Sequence, residues 1–232
     1  MKKLLLILLC LPMIGFGQNI SNFKTFDLGI NIVGGWDDVV PLFTPIGWSK
    51  NGKFAYHNAM CDDMCGCCTN ELIIFNSILD ENIEYLDFVE IEGDADIENV
   101  FTKDSIEIKN ILTQNNIVYG NMGQFIKSSK IDDYNIVLDQ KKVLDKYDDE
   151  WDLKNSFDLE YKLMVGNNNI GYKTVSQDVI NDNFQRLQYL GYIKSPFENR
   201  ILILFSNCNL GIENTYTYSL YIFGCNLNLK TF

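Results

Sequence analysis

Between Phe157 and Val165 the chain alternates without a break: Phe157, Leu159, Tyr161, Leu163 and Val165 fall on one side, Asp158, Glu160, Lys162 and Met164 on the other. A two-residue repeat marks a strand with one buried face, because successive side chains of extended backbone point to opposite sides. Gly166-Asn167-Asn168-Asn169 then turns the chain into a second apolar run, Ile170 to Val175. The pair predicts a β-hairpin whose apolar face must be covered by another layer of the same chain.

The rest of the sequence supplies that layer mostly as strands. Phe26 to Val33 and Trp36 to Trp48 are apolar and interrupted by Gly34-Gly35, Pro41 and Pro45, which read as strand ends and turns. Ile46 to Tyr56 is two apolar runs around Asn51-Gly52, a dipeptide that tolerates positive φ and predicts a tight hairpin. Glu71 to Phe75, Tyr134 to Leu138, Leu187 to Ile193, Ile201 to Ser206 and Tyr216 to Phe223 add further strands. Residues 80–98 predict an edge strand running into an acidic loop. Val100, Ile108, Ile111 and Leu112 lie near helical spacing, which predicts a helix over about residues 100–115. The expectation is a mainly β (α+β) fold, antiparallel sheets of hairpins with one or two short helices, cross-linked by disulfides. Gly47-Trp48-Ser49-Lys50 is echoed by Gly191-Tyr192-Ile193-Lys194, each ahead of a turn and an apolar strand, as in a duplicated β unit.

The amino terminus bounds the compartment. Lys2 and Lys3 precede an apolar run from Leu4 to Ile14, and Gly15-Phe16-Gly17 offers small residues for cleavage, so residues 1–17 read as a secretory signal peptide. The run is shorter than the ~20 residues that cross a bilayer, so no permanent membrane anchor is expected. Leu9 is too bulky for Cys10 to be read as a lipidation site. Residues 18–232 are then expected to form a single mainly β domain, exported to the periplasm or beyond. Removing the leader takes away Lys2 and Lys3 and moves the net charge from −12 to −14. Phosphate backbones are bound chiefly through Lys and Arg, so no nucleic acid is expected as a partner. An envelope protein or glycan fits better.

Two segments carry a resemblance. Trp48-Ser49-Lys50-Asn51-Gly52-Lys53-Phe54-Ala55-Tyr56 resembles a hairpin found in blades of propeller-type periplasmic proteins, of which the chain holds one copy. Together with Gly191-Tyr192-Ile193-Lys194-Ser195-Pro196-Phe197-Glu198-Asn199-Arg200 and Phe223-Gly224-Cys225-Asn226-Leu227, it resembles an uncharacterised group of exported bacterial proteins. The resemblance implies an exported domain of unassigned function and carries over no catalytic residue.

Six cysteines follow the leader: Cys61, Cys65, Cys67, Cys68, Cys208 and Cys225. In an exported chain an even set points to disulfides. Two bridges inside the eight-residue Cys61–Cys68 segment would be crowded. The simpler expectation is one bridge there, from Cys61 to Cys67 or Cys68, with two others reaching Cys208 and Cys225. Each long-range bridge would contribute about 4 to 5 kcal/mol in the chain-entropy model. The competing chemistry is a thiol-redox or metal site built from Cys61, Cys65, Cys67 and Cys68. Soft thiolates suit Cu(I) or zinc, but four ligands this close strain around one tetrahedral ion. Cys65-Gly66-Cys67-Cys68 contains a C-x-x-C, yet Asp62 and Asp63 flank it and no helix follows, so nothing lowers a thiol pKa.

Other chemistries find less support. His57, the one histidine, precedes Cys61 by four residues in a segment leaving a hairpin, and is read as a surface or core-edge residue rather than a base. Asp94, Asp96 and Glu98 alternate like calcium ligands, but Asn99 and Ser105 stand where an EF-hand needs Gly and Glu. Trp36, Trp48 and Tyr192 are read as core rather than as a ligand groove. No residue set offers acid–base chemistry near neutral pH, although facing Asp and Glu pairs that could hydrolyse an envelope polymer are invisible in a sequence. The reading is therefore an exported binding or structural module, without assigned catalytic residues, cofactor or metal.

Overall fold

The computed structural model describes residues 25–32, 38–62, 67–88, 105–143, 158–180, 184–210 and 215–228. The leader, Trp36, Cys65 and the acidic stretch with Asp94, Asp96 and Glu98 lie outside them. The strands are β1 (Pro41–Ser49), β2 (Lys53–Asp62), β3 (Cys67–Asn76), β4 (Glu81–Phe88), β5 (Ile117–Tyr119), β6 (Gln124–Ile126), β7 (Lys130–Ile131), β8 (Tyr134–Val143), β9 (Asp158–Asn167), β10 (Gly171–Ile180), β11 (Phe184–Lys194), β12 (Arg200–Leu210) and β13 (Tyr216–Asn226). Among the described residues one helix, α1 (Ser105–Gln114), falls between β4 and β5. The fold is mainly β, in antiparallel sheets ordered β4-β3-β2-β1-β5, β13-β12-β11-β6 and β10-β9-β8-β7.

The hairpin read from alternation forms as β9 and β10. Leu159, Tyr161, Leu163 and Val165 are buried, while Glu160 is exposed. Asn167 Oδ1 accepts from the backbone N–H of Asn169 and of Ile170, and Gly171 takes φ 87°, so the Asn-rich run is a side-chain-stabilised turn. On the outer face Asp139 stands opposite Lys162 and Lys141 opposite Glu160, which pairs unlike charges across the strands.

β12 explains how the sheets stack. Ile201, Ile203 and Phe205 pack with Leu159, Leu163 and Val165 of the β7–β10 sheet. Leu202 and Leu204 pack on the other side with Phe43, Trp48, Phe54 and Phe75. The β11–β13 sheet is therefore the middle layer, which is why Ile201 to Phe205 reads as an unbroken apolar run instead of an alternation. The far face of the β1–β4 sheet carries Ile46, Ala55, Leu72 and Ile74, covered by Ile108, Ile111 and Leu112 of α1. These three helix residues have the i, i+3, i+4 spacing of one face. Asn115 Nδ2 donates to the Ile111 carbonyl and Asn116 adopts φ 56°, so the helix stops in a left-handed cap.

Two bulges set the side-chain phase. The register of β1 against β2 slips at Ile46, and that of β11 against β12 at Leu190, each just before the glycine of the echoed motif. Phe43 and Trp48 can then face the same layer despite odd and even numbers, as can Tyr189 and Tyr192. Each motif also ends on a three-residue neighbour: β5 beside Gly47–Ser49 and β6 beside Tyr192–Lys194. The echo thus occupies the same place in two three-stranded meanders. Pro45, expected to punctuate, lies inside β1 at the bulge, where a missing N–H is tolerated. Trp48 and Tyr192 are both core.

Candidate functional site

Two chemically dense places lie at opposite ends of the β2–β3 hairpin. At the end where β2 runs on into β3, the ladder sets Cys61 directly opposite Cys68 and Asp62 opposite Cys67. Cys61 and Cys68 are joined in a disulfide with Cα atoms 4.0 Å apart. Facing positions of an antiparallel ladder bring Cβ atoms within bridging reach, so register chooses Cys68 between the two partners the sequence left open. These two sulfurs are bonded to each other and are not thiolate ligands in this state. Among the described residues no three His, Cys, Asp or Glu side chains gather closely enough to hold a metal ion.

Alternation puts His57 and Asn70 on the same face as the bridge. His57 Nε2 and Asn70 Oδ1 are 2.9 Å apart, and both residues are almost wholly buried, at 1% and 2% exposure. The histidine read as a surface or core-edge residue is an interior one. Thr44 stands opposite it in β1 and is buried too. On the other face of the hairpin, Asn58 donates to Glu71 at 3.2 Å.

At the other end, the turn end of β1–β2 and of β3–β4, three distant segments meet. Arg200, the first residue of β12, donates from Nε to Glu198 at 3.1 Å and from a terminal nitrogen to the Ser77 carbonyl at 3.0 Å. Ser77 in turn donates its backbone N–H to the Gly52 carbonyl at 3.0 Å. A Cβ on Gly52 would lie 3.1 Å from the Glu198 carboxylate, and one on Gly224 would lie 2.0 Å from the Ser77 carbonyl. Asp80, held at φ 56°, accepts the Gly224 backbone N–H. The tight turn of β1–β2, the Ser195–Arg200 loop and Gly224-Cys225 are thus locked together through the β3–β4 turn. These are the segments that carried the sequence resemblance.

The electrostatics of this node are those of packing. Burial raises the Asp80 carboxyl above its ordinary value, against the Gly224 N–H and the charges of Arg200 and Lys173, which lower it. Burial pushes the Cys225 thiol up to about 11; Lys173 and Arg200 oppose that rise and Asp80 adds to it. A thiol protonated at neutral pH is a poor nucleophile. Cys225 is free, so the long-range bridge expected there is not made. The reason is placement: Cys225 sits by Asp80, beyond one end of β3, whereas the Cys61–Cys68 bridge lies at the other. Cys208 is buried on β12 opposite Tyr218. It stands seven ladder positions from Ile201, the partner of Cys225, or about 23 Å of strand, so these two cannot pair with each other.

Sequence reasoning missed the Arg200–Ser77–Gly52 and Asp80–Gly224 contacts, since each joins residues remote in the chain. Glu198, Arg200 and Gly224 stood inside quoted motifs, but nothing local shows what they touch. In comparisons with known proteins, no family model matches the chain, and no curated sequence or solved structure matches it either.

Proposed function

We propose that this chain is an exported, non-enzymatic binding or structural module of the bacterial envelope. The observation that carries the reading is the Cys61–Cys68 bridge, which ties facing strand residues in the manner of an oxidising compartment. The leader-like residues 1–17 and the likeness of three segments to exported bacterial proteins point the same way. The ionisable groups at the turn end support a structural role, because Arg200, Glu198 and Asp80 are engaged with neighbouring loops. No helix among the described residues is long and apolar enough to cross a membrane.

A second reading keeps the thiol or metal chemistry. It is favoured by one fact: Cys65 and Cys67 lie inside the ring closed by Cys61 and Cys68, where either could exchange with the bridge. The two are separated by expressing the chain with its own leader and fractionating the cells. The exported protein and its Cys65→Ser variant are then assayed for bound metal and for disulfide reductase activity. The module reading expects export, no stoichiometric metal and no activity dependent on Cys65. Retention in the cytoplasm, or metal or activity lost in the variant, would overturn it.

A further inference from the structure

Among the described residues, the short strands β5 and β6 leave most of one edge of two longer strands, β1 and β11, without a neighbour in their own sheets, the other edge being paired with β2 and β12. β5 covers only Gly47–Ser49 of the nine-residue β1, and β6 only Tyr192–Lys194 of the eleven-residue β11. The segment Thr25–Ile32 lies across the seam between these two sheets. Phe26 donates its backbone N–H to the Phe43 carbonyl on β1 at 3.0 Å. On the β11 side the Gln188 amide grips the backbone twice, donating to the Gly29 carbonyl at 3.2 Å and accepting from the Asn31 N–H at 3.0 Å.

Between these anchors the segment behaves as an extended ligand. Phe26, Leu28 and Ile30 enter the apolar layer between the sheets, with Leu28 buried and the other two half-buried. The Phe26 ring stacks on Phe125 of β6 with centroids 5.5 Å apart. Asp27, on the opposite side, reaches Lys127 at 3.5 Å with its side chain 90% exposed. Gly29 takes φ 64° beside Lys127, at a site where a Cβ would lie 2.7 Å from the ammonium nitrogen. The backbone pairs with the sheet as an isolated bridge at Phe26–Phe43 and not as a ladder. A segment held by alternate side chains and isolated backbone contacts has no ladder of main-chain hydrogen bonds to break and can be exchanged for another of like pattern, the alternate side-chain pockets supplying the specificity.

We propose that this seam is a docking groove for an extended segment of a partner polypeptide, with bulky apolar side chains at alternate positions and an acidic residue facing Lys127. Thr25–Ile32 occupies it in cis until such a segment displaces it. The occupant is argued from what the groove already holds: it accepts the pattern Phe-Asp-Leu-Gly-Ile, reads backbone through Gln188 and neutralises one carboxylate. This rests on the reading of the chain as a binding module and names its partner class.

The test uses the full mature chain and a fluorescein-labelled peptide of sequence TFDLGINI, followed by anisotropy. In the wild type the cis segment competes. Leu28→Ala loosens that segment and is expected to tighten peptide binding at least tenfold. Gln188→Ala in the same background should lose about tenfold, and a peptide carrying Leu28→Asp should not bind. No binding by a Leu28→Ala protein that still unfolds cooperatively overturns the proposal. So does a concentration-dependent dimer without peptide capture, since the groove's occupant is then a second copy. If the variant does not fold, hydrogen exchange on the wild type decides. The amides of Phe26 and Asn31 should exchange at least a hundredfold faster than those of Leu202 to Phe205, and equal protection refutes an exchangeable segment. Failure here leaves the export and metal measurements untouched, so the two readings fail separately.

Discussion

Removing the bridge by replacing both Cys61 and Cys68 with alanine tests the architecture quantitatively. The cross-link spans a sequence separation of seven, a ring of eight residues. In the chain-entropy model a ring of that size removes enough freedom from the unfolded chain to contribute about 2.5 kcal/mol. Bridges from the cysteine loop to Cys208 and Cys225 would close rings of more than 100 residues and contribute about 4.7 kcal/mol each. The two arrangements therefore differ by several kcal/mol in total. Urea unfolding of the oxidised wild type and the double variant measures the difference. The expected loss is about 2 to 3 kcal/mol, or about 5 to 10 °C in Tm for a chain of this size. Reduction of a Cys208→Ala variant should cost the same amount. A loss near zero would mean that Cys61 and Cys68 are not bridged. A reduction penalty of about 5 kcal/mol or more would mean that a long-range bridge exists and the placement of the cysteine loop is misread.

Other expectations concern the turn end. Gly224→Ala should destabilise by about 2 kcal/mol or more, because its Cβ would meet the Ser77 carbonyl at 2.0 Å and backbone must move; chemical denaturation measures this. Asp80→Asn keeps an acceptor for the Gly224 N–H and tolerates positive φ, so it should lie within about 0.5 kcal/mol of wild type, whereas Asp80→Ala should lose about 1 to 2 kcal/mol. Alkylation of native Cys225 should be slow at pH 8 and accelerate only as pH nears 11. Because the unfolded thiol ionises near pH 8.5, the folded state holds more protons between about 8.5 and 11. Stability should therefore fall as pH rises through that window and level off above it, in a pH series of urea midpoints corrected with a Cys225→Ala control.

What the sequence disclosed followed the range of the forces involved. The β9–β10 hairpin was legible because alternation and an Asn-rich turn are local properties of the chain. The helix was legible through Ile108, Ile111 and Leu112, and the Asn51-Gly52 turn through its tolerance of positive φ, observed at Gly52 as 80°. Pro45 misled because a proline inside a strand depends on what stands beside it, and here a bulge accommodates it. The phase shifts at Ile46 and Leu190 were hidden for the same reason: a bulge reassigns every later side chain without changing composition. The cysteine pairing needed register, since spacing alone could not choose between Cys67 and Cys68. The docking of Thr25–Ile32 and the junction of Arg200, Ser77 and Gly52 are decided by how sheets stack.

The central claim is that the cysteine loop is a structural staple on an exported module, and thiol mapping addresses it most directly. Protein exported under its own leader would be alkylated in the native state, digested without reduction and sequenced by mass spectrometry. The account predicts a peptide pair joined through Cys61 and Cys68, with Cys225 alkylated only after unfolding. Alkylation of Cys61 and Cys68 in the native protein, or a metal ion retained by the loop at stoichiometric level, would contradict it and make that loop the active centre.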